Sequence, residues 1–453
     1  MFDLVVFGGD LVLEDKVIKG SVGIKDGRIA AILDPDVPFE AAQKVDATGK
    51  LVFPGAIDSH AHLNDPGYNW REDYAHGTAA AILGGYTTIV DMPLQNEPAL
   101  TTGKIMDTKL AHVQPNAFCD YAFWGGLVDD NFDHLRELAD KGCVAFKSFL
   151  GPVSPDYQTL TIGRAREALK ILADADVRAG FHAEDYSIIK AAEAFEKENG
   201  NETWRGFLDS RPLIAELIAT QNIIECAKET GARIHICHVS HPEVAEVIRQ
   251  AQIDGYDVTG ETCGHYLTFT EDDVIKNGSL FKCAPPLRTQ ADLEQLWSYV
   301  EDGTLSCIGS DHSPCAWEEK DEAKHGVFGA WGGISSIQNT VQAAFSEGVV
   351  KRGVSPVAFG QAIATGAAKV FDIYGQKGAI QVGFDADLII IDPDKEWEIT
   401  AESLLYVNQI SAFVGLKGQG LPVVSILRGK IMAQDGKIVG QGGDGKFVAR
   451  GER

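Results

Sequence analysis

The feature that most limits how this chain can fold is a series of short apolar runs, most of them stopped by a polar or charged residue, with helix-like stretches between them. Eight runs can be counted, ending near His60, Asp91, Trp124, Lys147, His182, His238, Glu261 and Asp311. Helical candidates separate them, among them 133–141, 162–173, 213–230 and 243–254. Strand–helix units in series build a parallel sheet, because each helix returns the chain to the start of the next strand. Eight units predict closure into a (β/α)8 TIM-type barrel, an α/β fold.

The two ends of the chain read differently. Leu4–Leu13 is β-rich, and Asp26-Gly27 lies between two apolar runs within Ser21–Leu33, a strong hairpin signal. Ala386–Ile391 reads as a strand, and Val423–Val439 reads as strands turning at Asp435-Gly436. The expectation is a small β-sandwich domain assembled from residues 1–53 and 375–453, around a barrel of residues 54–374. The length of 453 residues suits one large barrel plus a smaller domain.

Composition narrows the class. With 40 Lys+Arg against 65 Asp+Glu the formal net charge is −25, which disfavours nucleic acid and anionic membranes as partners. No apolar run approaches the roughly 18 residues of a membrane span. Met1-Phe2-Asp3-Leu4 lacks the basic start of a secretory signal. Eight cysteines without a CxxC pair fit a reducing compartment, so the expected location is cytoplasmic.

In a barrel of this kind the chemistry gathers at the C-terminal ends of the strands. His60 and His62 stand two residues apart, so in an extended segment both imidazoles face one side. Alone, that pair reads equally as two polar loop histidines. His182, His238 and Asp311 also end apolar runs, and three such events joined to the first pair are hard to explain as capped strand ends. His235, three residues before His238, should face the opposite way and is read as structural. Lys147 read alone is a strand-end lysine stretching to solvent. If its amine has instead reacted with carbon dioxide, the carbamate is an anion able to bridge two metal ions. Four His, one Asp and such a Lys are enough for two divalent ions bridged by hydroxide. Nitrogen and oxygen donors suit zinc, and also cobalt, manganese or nickel. Asp311 would take the proton from the attacking water and pass it to the leaving nitrogen.

The motifs Pro54-Gly-Ala-Ile-Asp-Ser-His-Ala-His62, Gly84-Gly-Tyr-Thr-Thr88, Phe146-Lys-Ser148, Cys237-His-Val-Ser240, Glu261-Thr-Cys-Gly-His-Tyr266, Pro285-Pro-Leu-Arg288 and Ser310-Asp-His-Ser-Pro314 span nearly the whole chain. As a set they resemble the amidohydrolase superfamily, specifically its cyclic-amidase branch of dihydropyrimidinases, hydantoinases, allantoinases and dihydroorotases. The resemblance implies a binuclear metal centre on His60, His62, Lys147, His182, His238 and Asp311. It also implies an N6-carboxylated Lys147, hydrolysis of a ring C–N bond in a small cyclic amide, and assembly as a homotetramer or dimer. Ser210-Arg-Pro212, Lys282-Cys-Ala-Pro-Pro-Leu-Arg288, Ser310-Asp-His-Ser-Pro-Cys315 and Ala330-Trp-Gly-Gly-Ile334 look most like the allantoinases. The expected reaction is therefore allantoin to allantoate, with 5-substituted hydantoins as the alternative substrates. Non-catalytic scaffold relatives have lost metal ligands, whereas all six positions are kept here.

Departures from the branch sharpen the expectation. Asn64 stands where dihydroorotases carry a carboxylate-binding Arg, and Pro152 stands where dihydropyrimidinases carry a Tyr that stabilises the oxyanion. Asn64, Ala284, Ser313 and Gly332 are the expected substrate contacts, partly through main-chain groups. Gly264 replaces a Pro typical of allantoinases.

Overall fold

The computed structural model describes residues 1–155 and 157–451. The chain begins with β1 (Phe2–Val12), β2 (Val17–Lys25), β3 (Arg28–Leu33), β4 (Ala41–Asp46) and β5 (Leu51–Pro54). Eight parallel strands follow: β6 (Ala56–Ala61), β7 (Tyr86–Asp91), β8 (Asp120–Gly126), β9 (Ala145–Phe149), β10 (Arg178–His182), β11 (Ile234–Ile236), β12 (Val258–Cys263) and β13 (Leu305–Gly309). The chain finishes with β14 (Leu388–Glu398), β15 (Lys417–Leu427), β16 (Lys430–Gln434) and β17 (Lys437–Ile438).

Strands β6 to β13 pair in chain order, as the eight apolar runs imply. The last meets the first just beyond the strand ends. Ser310 donates its N–H and Oγ–H to the two oxygens of buried Asp58, at 2.8 and 2.5 Å, and His62 N–H donates to His312 O at 2.8 Å. The result is a nearly closed barrel with helices around it. Helix starts carry side-chain acceptors for the free N–H groups: Asp73 for 74–84, Thr161 for 162–174 and Asp185 for 186–198. The helix at Leu213–Thr230 stops at Gly231, whose φ of 71° is open to glycine without a Cβ penalty. No helix among the described residues is long and apolar enough to cross a membrane.

The end strands form one nine-stranded sheet in the order β17-β16-β15-β14-β5-β1-β2-β3, with β4 beside β1. Both Asp-Gly pairs make the two-residue turns read from the sequence. Asp26 and Gly27 have φ of 50° and 76°, Asp435 and Gly436 have 49° and 76°, and positive φ at both central positions gives a turn that twists with its strands. The sheet is sewn across the chain ends by β5, which pairs with β14 from Leu51↔Ile391 to Pro54↔Leu388.

Gly55 alone separates β5 from β6, so one extended segment leaves the end sheet and enters the barrel. A Cβ at Gly55 would collide with Thr87 and Asp387. Phe53 of β5 packs edge-on against Phe345 and Phe359, ring centroids 6.3 and 5.7 Å away, and seals the joint. A second joint is ionic. Buried Lys377 places its ammonium among Asp120, the first residue of β8, Asp385 at 3.0 Å and Asp387 at 2.7 Å, and Arg428 also reaches Asp120.

Candidate metal centre and cavity

All six expected ligand positions come together at the C-terminal end of the barrel. His60 Nε2 and His62 Nε2 converge on Asp311 Oδ1, at 3.2 and 3.5 Å. His182 Nδ1 faces His238 Nε2 at 3.0 Å, with ring centroids 4.6 Å apart. The His238 ring lies 5.3 Å from that of His60, which links the two pairs. Lys147 sits on β9, fully buried, with no hydrogen-bond partner for Nζ, which lies 5.1 Å from the centre of the Phe149 ring.

Neighbouring carboxylates fix the imidazoles. His60 Nδ1 is 2.6 Å from Glu261 Oε1, and His182 Nε2 is 2.8 Å from Glu184 Oε2, which also accepts from Arg211 at 2.6 Å. A carboxylate on one ring nitrogen sets the tautomer and leaves the other nitrogen's lone pair for a cation. Burial first, then the charge of Lys147, pushes His60 down to about 4 and His238 well below its usual value, so both rings are neutral donors. Burial opposes ionisation of Asp311, but His60 and His62 beside it hold its carboxyl down to about 2. Burial likewise opposes ionisation of Glu184, and Arg211 with His182 holds it at about 2.

These observations test the expected metals against the residues present. Ring nitrogens that face each other at 3.0 Å, two more that converge on one carboxylate oxygen, and a buried amine without a partner leave donors aimed at shared points. A buried ammonium is costly without an anion. The donor set fits divalent cations, and His60, His62 and Asp311 form one group able to hold an ion.

Above these residues opens a cavity of about 490 Å³, within the range of small-molecule sites. Ala284, Ser313, Gly332 and Pro152 are among the residues that line it. Asn64 does not line it. With φ of 57° it turns back, fully buried, and donates Nδ2–H to His62 O at 3.1 Å and towards Gln95 Oε1 at 3.4 Å. Gln95 takes the wall position instead. His235 also differs in direction from the sequence expectation. Strand β11 ends at Ile236 and His238 has φ of 41°, so strand alternation does not reach it. The His235 ring points to Thr259 Oγ1 (2.8 Å) and Glu261 Oε2 (3.4 Å) and buttresses the carboxylate that orients His60. Tyr157 does not replace the tyrosine absent at Pro152. Its hydroxyl donates to Lys147 O at 2.8 Å and accepts from Leu127 N–H.

Known proteins resemble this chain along its whole length. The amidohydrolase family profile matches residues 51–432. The chain is 39% identical to an allantoinase of Rubrobacter xylanophilus, over 100% of this chain and 99% of that protein. It is 38% identical to an allantoinase of Bacillus licheniformis, over 99% of each. Among solved structures it is similar to L-hydantoinase (dihydropyrimidinase) from Arthrobacter aurescens, with a TM-score of 0.96 and 33% identity, over 99% of this chain and 100% of that one.

Proposed function

This chain belongs to the amidohydrolase family, and from that premise we propose that it hydrolyses the ring amide of allantoin to give allantoate. The observation that carries the reading is the convergence of His60, His62, His182, His238, Asp311 and Lys147 on the floor of one cavity. Those six residues would hold two divalent ions, zinc first among them, and Lys147, once carboxylated, would supply them with an anionic oxygen ligand. Bound there, the ions supply a water of lowered pKa and polarise the ring carbonyl.

The chain's own groups do the rest. Glu261 and Glu184 keep His60 and His182 in the tautomer that points a lone pair inward. Asp311, held ionised by its histidine neighbours, takes a proton from the attacking water at a carboxylate oxygen. It returns that proton to the ring nitrogen as the C–N bond breaks. Ser313 and the main chain around Ala284 and Gly332 orient the ring, and Gln95, Ser210 and Arg211 offer polar groups to a ureido substituent. Phe149, Pro152 and Val153 make the apolar flank that keeps water off the ring.

Full-length allantoinase relatives support allantoin, and the L-hydantoinase likeness supports 5-substituted hydantoins as the second reading. Free cysteines at all eight positions support the cytoplasmic setting, and the homotetramer remains part of the proposal. The deciding experiment is a substrate panel on metal-loaded enzyme: allantoin, 5-substituted hydantoins, dihydrouracil and dihydroorotate. Allantoin should have the highest kcat/KM, and a higher value for a 5-aryl hydantoin would transfer the assignment.

A further inference from the structure

One wall of the cavity is built from the last turn of the helix at Glu322–Gly329, whose final carbonyls have no partner within the helix, and from the irregular chain that follows it. Phe328, Gly329, Ala330, Trp331, Gly332 and Gly333 line it, and their carbonyls have no sheet ladder to accept from. Two buried lysines take over that role. Lys282 Nζ donates to the carbonyls of Val327, Phe328 and Ala330, at 2.9, 2.8 and 2.6 Å. Lys320 Nζ donates to those of Ser279, Trp331 and Gly333, at 2.7, 3.0 and 2.6 Å. The side chains are 5% and 3% exposed. Each ammonium therefore directs all three of its N–H groups at main-chain oxygens, converging on one point, whereas a guanidinium would need its acceptors spread in one plane.

The two heads act on one structure. Gly333 N–H donates to Lys282 O at 2.9 Å, so the segment that carries the first lysine is also strapped to the segment held by the second. Trp331 Nε1–H donates to Ser313 O at 3.2 Å, which ties the wall to the residues following Asp311. Lys282 itself precedes Cys283 and Ala284 on the adjoining wall. Both main-chain segments expected to read the substrate ring are thus held by the same two cations. Burying two ammonium groups without a carboxylate on either is costly, and a loop that only had to cap the barrel would not need them.

We propose that Lys282 and Lys320 are positioning residues, a paired ammonium clamp that fixes the Val327–Gly333 wall and sets how tightly the cyclic amide is held. The proposal deepens the amidohydrolase reading above and rests on it for the identity of the substrate, while the clamp itself can be read without any substrate.

The test uses the metal-loaded enzyme with Lys282→Met, Lys320→Met and the milder Lys282→Gln and Lys320→Gln. Two readouts are taken: steady-state kinetics on allantoin, and hydrogen exchange of backbone amides by mass spectrometry. Loss of the clamp should raise KM about tenfold, leave kcat within about twofold, and speed exchange in 327–333 but not in the barrel strands. Unchanged KM with unchanged exchange in 327–333 overturns the proposal. So does faster exchange throughout the barrel with kcat and metal content falling together, since that marks a general structural role. If the unmodified enzyme opens no member of the substrate panel, the functional reading fails, and the exchange data still decide whether the clamp exists.

Discussion

The barrel buries a lysine at each end, and the two are handled in opposite ways. At the C-terminal end, Lys147 has no anion on its amine, and the histidines around it aim lone pairs at shared points. At the N-terminal end, Lys377 is ringed by Asp120, Asp385 and Asp387, with Arg428 closing the group. Asp120, Asp385 and Asp387 also have the spacing of a metal site, but the lysine already fills it with its own positive charge. One end is electrostatically complete within the chain. The other, on the proposed function, is where divalent ions and a carboxylated Lys147 would balance the charges. That division matches the general behaviour of such barrels, in which the C-terminal ends of the strands carry chemistry and the N-terminal ends carry stability.

The comparison breaks most visibly if Lys147 is removed. Lys147→Ala should lower kcat/KM by about four orders of magnitude or more and release the bound metal. Short carboxylic acids should restore part of both, because they return an anion to the same place. An active, metal-replete variant without added acid would show that the amine has no such role. Metal content by plasma emission, beside turnover, is the measurement.

Lys377→Met should act on the other property. It leaves three buried carboxylates with Arg428 alone, and breaking a buried charge group costs about 3–5 kcal/mol. The midpoint of urea unfolding should fall accordingly, while the folded fraction keeps its metal and its kcat. Loss of metal at unchanged stability would erase the distinction between the two ends.

The smallest effect is in pH. Burial disfavours the Lys377 ammonium, but Asp387, then Asp120 and Asp385, raise it above the usual lysine value. A group raised on folding adds stability that is fully present below the unfolded value of 10.5 and is lost as pH climbs from there through the folded one. The unmodified protein should therefore lose about 1.4 kcal/mol more than Lys377→Met for each pH unit in that window. Parallel unfolding curves for the two proteins above pH 10.5 would mean that the cluster does not hold the proton.

Much of this was legible in the sequence because it depends on short-range pattern. The eight apolar runs became the eight barrel strands, and Asp26-Gly27 and Asp435-Gly436 became hairpin turns because left-handed backbone is cheap for those residues. His60, His62 and His182 were readable because a polar residue at the end of a buried strand stands out. The supporting groups were not readable. Glu261 ends an apolar run, but its contact with His60 crosses from β12 to β6; Glu184 meets His182 two residues away, and Arg211 reaches Glu184 from beyond the helix at Trp204–Asp209, so spacing alone does not show what they hold. Asn64 follows the histidine pair, a spacing that points towards the cavity, while its left-handed backbone turns it behind Gln95. His235 differs from the alternating pattern for a related reason: β11 ends at Ile236, so strand alternation does not carry on to His238. Lys282 and Lys320 carry no local signal, since main-chain carbonyls are their partners.

The way β5 is shared between the two sheets bears on the order in which the protein is made. Residues 51–54 leave the ribosome early, yet their antiparallel partner, residues 388–391, is synthesised more than three hundred positions later. During that interval the barrel can assemble strand by strand, while the first sheet carries an unfinished edge. Such an edge is where a stalled or truncated chain would pair with a neighbour, so loss of the final strands should show as aggregation of nascent protein before it shows as loss of catalysis. Pelleting assays on ribosome-released fragments ending before residue 388 would reveal it, and fully soluble fragments would refute it.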